Sequence, residues 1–365
     1  MIVPMQLPSA LTWLIDEAGV TPDAGHFLTT LAARLAADGL PLAGGALTLS
    51  APHPIIARRT WLWRAESEAV IEALGFDIIG QPGPQSGNVG RDWLLGLGTG
   101  IVQEDVSGKL TLDGPLLGWA LLRPLSENES ALLHEVARFA AAPLAALVMR
   151  STLAALLETY LGKRSAAQVL NGRLRRQTGE TIQAVLLYGD LRGFTELSEV
   201  MAPDVVVAAL DAWFDRIAGA VHAFGGEVLK FIGDGVLAIF PIGERPPSAA
   251  CDAAFHAVAA ARAGMVSLNE ERNRQGLPAL SFGMALHLGD MRWGNIGTAD
   301  RLDFTAIGPA VNLVGRLEGL CKPMGRSVLV SSAIAAETTE TLIPLGEHEL
   351  RGIANPCAVF ALPED

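Results

Sequence analysis

From about residue 180 onward, short apolar runs at 182–188, 228–232, 236–240, 280–288 and 327–330 have the length and composition of β-strands. Between them lie stretches with helical periodicity. Pro203 and Asp204 open one, in which Val206, Leu210, Trp213, Ile217, Val221 and Phe224 fall on one apolar stripe. Residues 249–274 form a second, Ala-rich at its start and polar at its end, and a third begins at Val311. The pattern predicts an α+β domain of alternating strands and helices.

The first 125 residues are patterned differently. Helical periodicity covers 8–39, with Phe27, Leu28, Leu31 and Leu35 on one face. Strand-like segments follow at 45–49, 60–64 and 119–122, around a Gly/Pro-rich stretch at 80–90. Ser126-Glu127-Asn128-Glu129 then reads as a capping box. Leu132, Val136, Phe139, Leu144, Leu147, Leu153, Leu157 and Leu161 continue at near-heptad spacing. That spacing predicts an amphipathic connector pairing two protomers, against a helix packed only within its own domain. Pro143 predicts a kink or break in it. Three regions follow: a smaller α/β module at 1–125, a helical connector at 126–177 and the main domain at 178–365.

Composition narrows the setting. At 365 residues, half of them apolar, the chain is long enough for two packed cores. The best apolar stretch, 139–149, is short and holds Pro143, so no membrane span is expected, and no basic-then-apolar leader pattern begins the chain. Three scattered cysteines, 251, 321 and 357, lack metal spacing and read as reduced thiols of a cytoplasmic protein. A net charge of −12 argues against nucleic-acid binding.

The candidate chemistry sits at strand ends. Asp190 closes one apolar run and opens Asp190-Leu191-Arg192-Gly193-Phe194-Thr195; Asp234 sits in Gly233-Asp234-Gly235 between two strand-like runs. Either alone is an ordinary turn residue. Together they can converge on a divalent cation, which prefers oxygen ligands and bridges carboxylate to phosphate. Downstream, Asn312 and Arg316 lie four apart on one helix, where an amide and a guanidinium suit phosphoryl transfer. A hairpin-like stretch from Gly294 to Gly308 delivers Thr305 just before that helix.

These segments together resemble the catalytic domain of the class III adenylate/guanylate cyclases, over about residues 181–362. Tyr188 to Glu199 (YGDLRGFTELSE) is similar to the family's first metal-binding segment, Glu227 to Phe240 (EVLKFIGDGVLAIF) to its second, and Asp303 to Glu318 (DFTAIGPAVNLVGRLE) to its base-selecting and transition-state segment. The resemblance implies a ferredoxin-like βαββαβ core with an added hairpin. It implies conversion of a nucleoside triphosphate to its 3′,5′-cyclic monophosphate and pyrophosphate, with two divalent cations, Mg²⁺ or Mn²⁺, as cofactors. Asp190, Asp234 and the Leu191 carbonyl would hold those cations. The loop Gly193, Phe194 and Thr195 would offer N–H groups to the triphosphate. Asn312 would position the ribose and Arg316 would steady the transferring phosphoryl group. Arg351 falls near a cationic triphosphate contact of the family, and a surface role fits it equally.

Lys230 and Thr305 match the base-reading positions. A lysine donor opposes the N1–H of guanine, so ATP is the implied substrate, with guanylate cyclase the alternative. The Lys/Thr pairing resembles the subgroup that includes bicarbonate-responsive cyclases, so a bicarbonate or other small-molecule regulator is implied. The resemblance also implies a head-to-tail homodimer with sites shared between protomers. A non-catalytic sensor would have lost Asp190, Asp234, Asn312 or Arg316, and all four are present. The N-terminal module looks like a GAF or PAS regulatory domain in its order of helices and strands. His26, His53 and His134 read as surface or capping residues, and Trp61, Trp63, Trp93 and Trp119 as core or pocket.

Overall fold

A computed structural model describes residues 7–50, 56–76, 89–106, 114–173, 175, 179–298 and 300–363. The chain divides into two units, Met1–Leu170 and Asn171–Asp365. In the first, α1 (Ser9–Asp16) and α2 (Ala24–Ala37) precede β1 (Leu42–Ser50), β2 (Ile56–Arg64), β3 (Val70–Phe76), α3 (Val89–Leu95), β4 (Gly100–Asp105), β5 (Leu116–Leu121), α4 (Glu127–Leu161) and α5 (Lys163–Leu170). The strands form an antiparallel sheet in the order β3-β2-β1-β5-β4.

The sheet of this unit has a thick and a thin side. Phe27, Leu28, Leu31 and Leu35 of α2 pack with Leu133, Val136, Leu144 and Leu147 of α4, Leu47 and Trp119 in the main core. A smaller core of Ala46, Leu62, Leu94 and Ala120 gathers with α3. There α3 and the loop after it press close to the sheet: a Cβ on Gly118 would meet Leu94 at 2.7 Å, and one on Gly44 would meet Leu97 at 2.5 Å.

The sequence pattern does not predict β3 and β4, because Glu72 and Gly75 interrupt the apolar residues of the first and only Ile101 and Val102 are apolar in the second. The Gly/Pro-rich stretch at 80–90 lies mostly outside the described residues, its last two residues opening α3. His53 also lies outside them. His26 donates its backbone N–H to the Asp23 cap, and His134 lies 3.7 Å from Glu104.

α4 begins with the expected capping box, Ser126 and Glu129 bonding each other's backbone N–H. It then runs as one helix through Pro143, with no interruption. The proline forfeits one backbone bond, and the buried face of Val136, Ala140, Leu144 and Leu147 on either side holds the helix in place. The near-heptad stripe divides in three dimensions. Val136, Leu144 and Leu147 are core, whereas Phe139, Leu153 and Leu161 of the stripe are exposed, as are Met149, Leu156 and Tyr160 outside it. Contrary to the sequence expectation, α4 is long and apolar enough to cross a membrane by length and composition. Its buried residues belong to the core of this unit, and Arg150 donates to the carbonyls of Gly19 and Thr21, each at 2.7 Å.

The second unit contains β6 (Glu180–Arg192), α6 (Phe194–Val200), α7 (Pro203–Ala223), β7 (Glu227–Ile232), β8 (Gly235–Pro241), α8 (Pro247–Arg274), β9 (Ser281–Gly297), β10 (Leu302–Ile307), α9 (Pro309–Glu318), β11 (Val328–Ser331), α10 (Ser332–Ala335), β12 (Ile343–His348) and β13 (Cys357–Ala361). The sheet order is β12-β13-β11-β9-β6-β8-β7, with β10 paired to β9. Its β9-β6-β8-β7 portion is the βαββαβ core, and β9 with β10 is the added hairpin. On one side Trp213, Ile217 and Val221 of α7 pack with Val258, Ala261 and Met265 of α8. Val314 and Leu317 of α9 pack with Leu186, Ile239 and Trp293 in a separate cluster.

Candidate active site

Two adjacent strand ends bring the aspartates together. Asp190 lies near the end of β6, paired across β9 with Gly283. Asp234 lies in the β7–β8 turn, after Gly233 at φ +64°, a left-handed conformation that suits glycine. The turn is fixed from below: the fully buried Trp213 of α7 donates its indole N–H to the Asp234 carbonyl at 2.9 Å. The Asp190 and Asp234 carboxyls lie close enough that the charge of one acts on the other. A third carboxylate closes the group. Glu318, the last residue of α9, lies against Gly283, which has no room for a side chain there.

The electrostatics follow from this crowding. Burial, then the negative charges of Asp234 and Glu318, push the Asp190 carboxyl up to about 7. Burial and the same carboxylates push the Tyr188 phenol up to about 12. Glu318 is raised by burial, partly offset by Arg192. Among the described residues, neither aspartate has a lysine or arginine in an ion pair. An acidic pair at a strand–turn edge, short of positive charge, matches the donor set of a hard divalent cation. Among the described residues no three His, Cys, Asp or Glu side chains group to hold a metal alone. Two carboxylates and the Leu191 carbonyl suit an ion whose remaining ligands come from phosphate and water.

A second group forms around Lys230. Its ammonium pairs with Asp303, a residue 73 positions on, joining β7 to β10. Thr305 follows Asp303 by two positions along β10 and so shares its side of the strand, opposite Gly294 of β9. Nearby, Phe231 packs on Phe214 at 4.4 Å while staying half exposed.

The remaining candidates are more dispersed. Asn312 and Arg316 project from α9 as exposed residues, and no hydrogen bond or ion pair joins them to either aspartate among the described residues. Gly193, at φ +72°, caps α6, which starts with Phe194 and Thr195; the Gly193 carbonyl accepts from Leu197 N–H at 2.9 Å. Arg351 is exposed in the turn after the buried Leu350. His287 packs within β9, its Nδ1 2.9 Å from the Ser331 hydroxyl, and burial lowers it to about 4. Trp293 is buried and stacks on Phe304.

Sequence reasoning gave no role to Asp303, Glu318, Trp213 or Tyr188. Asp303 and Glu318 are the two ends of the Asp303 to Glu318 segment, and Trp213 was visible only as one member of an apolar stripe.

Comparison with known proteins agrees with this geometry. The family model for the adenylate and guanylate cyclase catalytic domain matches residues 177–359, and the chain belongs to that family. It is 34% identical over 158 residues to an adenylate cyclase of Anabaena cylindrica, covering 42% of this chain and 30% of that protein. It is 33% identical over 183 residues to adenylate cyclase 1 of Rhizobium meliloti (strain 1021), covering 49% of this chain and 27% of that protein. The chain thus spans less than a third of the length of either relative. A solved bacterial light-regulated adenylyl cyclase shares the fold with TM-score 0.52 and 22% identity, over 69% of this chain and 83% of that one.

Proposed function

We propose that this protein is an adenylate cyclase that converts ATP to 3′,5′-cyclic AMP and pyrophosphate at sites shared across a homodimer. The observation that carries the reading is the Asp190–Asp234 pair, two carboxyls at adjacent strand ends that repel each other without a basic partner in an ion pair among the described residues, in the domain matched by the cyclase family. Two divalent cations, Mg²⁺ or Mn²⁺, would be held by Asp190, Asp234 and the Leu191 carbonyl, and when bound they supply acidification of the ribose 3′-hydroxyl and neutralisation of the triphosphate. The 3′-oxygen then bonds to the α-phosphorus, the bond to the β-phosphate bridging oxygen breaks, and the hydroxyl proton passes to water.

The protein's own part is positioning. Trp213 and the Gly233 turn hold Asp234 in place, and the β6–β9 pairing holds Asp190. Gly193, Phe194 and Thr195 would present backbone N–H groups to phosphate, and Arg351 would add a cationic contact. Arg316 would fork onto the transferring phosphoryl oxygens while Asn312 orients the ribose. Lys230, aimed by Asp303, and Thr305 would read the adenine edge. A guanine N1–H would face the ammonium donor to donor, so ATP is favoured over GTP.

The exposure of Asn312 and Arg316, with no hydrogen bond or ion pair to the aspartates of their own chain among the described residues, supports completion of each site by a second protomer. The outward stripe of Phe139, Met149, Leu153, Leu156 and Tyr160 on α4 supports helix pairing in the same dimer. The N-terminal module would regulate by altering that pairing, and bicarbonate would act at the cyclase half. Activity measured against bicarbonate at fixed pH tests the latter, and an unchanged rate removes it.

The decisive experiment assays product from ATP and from GTP with Mg²⁺ or Mn²⁺, for the parent protein, Asp190→Ala, Arg316→Ala and an equimolar mixture of the two variants. Cyclic AMP is expected from the parent, little or none from either variant alone, and partial recovery in the mixture. Cyclic GMP as the main product would reassign the substrate. No recovery despite demonstrated mixed dimers would end the shared-site model.

A further inference from the structure

The N-terminal unit contains a pocket of about 590 Å³, lined among others by Leu42, Ala43, Arg64, Glu66, Leu97 and Leu122. It opens where β1 begins and β2 ends, beside the loop that follows α3. The size is that of a small-molecule site.

Arg64 is the unusual member. Its guanidinium sits 5.2 Å from the centroid of the Trp93 ring, stacked on α3. Its Nε is buried and has no hydrogen-bond partner, and the indole N–H of Trp93 is buried and unpartnered as well. Arg59, on the same strand, is instead paired with Glu72 at 2.5 Å. Among the described residues Arg64 has no such carboxylate. Buried donors without acceptors are rare in folded domains and mark places where a partner is missing. Here two occur in one stack, and Arg64 of that stack lines the cavity.

The remaining wall sets the partner's other features. Leu42, Leu97 and Leu122 are apolar, and Leu122 is 62% exposed where it lines the opening. Glu66 is exposed at the rim and repels a second negative charge. We propose that this pocket binds a small organic monocarboxylate. Its oxyanion takes the Arg64 fork, Trp93 serves as the adjoining donor, and its apolar body lies on the leucines. A planar guanidinium matches a carboxylate in two parallel hydrogen bonds, and stacking on Trp93 holds it ready for them.

The full-length protein would be titrated with benzoate and hexanoate, with their neutral counterparts benzyl alcohol and hexanol, and with inorganic phosphate. Calorimetry and tryptophan fluorescence read the binding. Saturable binding of a carboxylate is expected, about tenfold or more tighter than its alcohol. Phosphate, which is more highly charged and has no apolar body, is expected to bind more weakly still. Arg64→Gln, with its far-ultraviolet circular dichroism and unfolding transition intact, should lose about tenfold or more in carboxylate affinity. Should that variant not fold, Arg64→Lys keeps the charge without the fork and should still lose several-fold. Trp93→Phe keeps the ring under Arg64 but removes the N–H, and a smaller loss is expected. Equal affinity for acid and alcohol, binding that survives both Arg64 substitutions, tighter binding of phosphate, or no saturable binding of any probe overturns the proposal.

Discussion

The two units each leave polar groups uncompensated, with opposite sign. In the second unit Asp190, Asp234 and Glu318 crowd together with Arg192 as the nearby cation, which acts on Glu318. In the first, the Arg64 guanidinium and the Trp93 indole are donors without acceptors. Both places are held by well-packed elements behind them: Trp213 in the core beneath the Asp234 turn, and Leu94 of α3 against the sheet beside Trp93. The difference lies in what would satisfy them. Crowded carboxylates call for cations and the phosphates that accompany them, whereas a stacked guanidinium calls for an oxyanion on an apolar body. A folded domain tolerates such groups because the rest of its core holds them in place.

The largest effect should come from the acidic cluster. Asp190→Asn should lower turnover on the order of a thousandfold. In metal-free buffer the same change should raise the midpoint of thermal unfolding by about 2–4 °C, since it relieves repulsion worth about 1 kcal/mol. A lowered midpoint would mean that Asp190 supports the fold through contacts other than those with its acidic neighbours. Next, Trp213→Phe keeps the aromatic packing but removes the N–H from the Asp234 carbonyl. A stability loss of about 1 kcal/mol in urea and a turnover loss of roughly tenfold or more should follow.

Asp303→Asn frees Lys230 from its ion pair, and the ratio of kcat/KM for ATP over GTP should fall by about tenfold. An unchanged ratio would assign the Asp303 contact to the β7–β10 junction alone. The last effect concerns pH and stability alone. His287 falls to about 4 in the fold from an ordinary 6.5, so the unfolded chain binds the extra proton between those values. Stability should therefore drop as pH falls below 6.5, levelling near 4, by up to about 3 kcal/mol from this group. Denaturation of His287→Gln at pH 7 and pH 4.5 should show a shallower decline than the parent.

Much of the second unit was legible because its signals are local. Asp190 and Asp234 each stand at the junction of an apolar run and a glycine turn, and Asn312 and Arg316 are neighbours by helical period alone. The strands β6, β7, β8 and β9 could be read from runs of branched and aromatic residues. The N-terminal strands β3 and β4 could not, since Glu72 and Gly75 interrupt the apolar residues of Val70–Phe76, and Gly100–Asp105 has only Ile101 and Val102 as apolar residues. The stripe on α4 misled for another reason. A one-dimensional heptad does not say which of its residues meet a domain core, and Leu144 and Phe139 ended on opposite sides.

The sequence by itself determined the core strands β6, β7, β8 and β9 with helices α7, α8 and α9, the aspartates that end those strands and the family to which the chain belongs, because those features are written in spacings of a few residues. It did not give α6, α10, β12 or β13. Only the tertiary structure decided that Lys230 meets Asp303, that Glu318 lies against Gly283 beside Asp190, that Trp213 holds the Asp234 turn, and that Arg64 stacks on Trp93 without an acceptor. Each of these joins residues more than twenty positions apart. Such pairings depend on strand register and helix docking, which are settled by the packing of the whole core and not by any short stretch of chain.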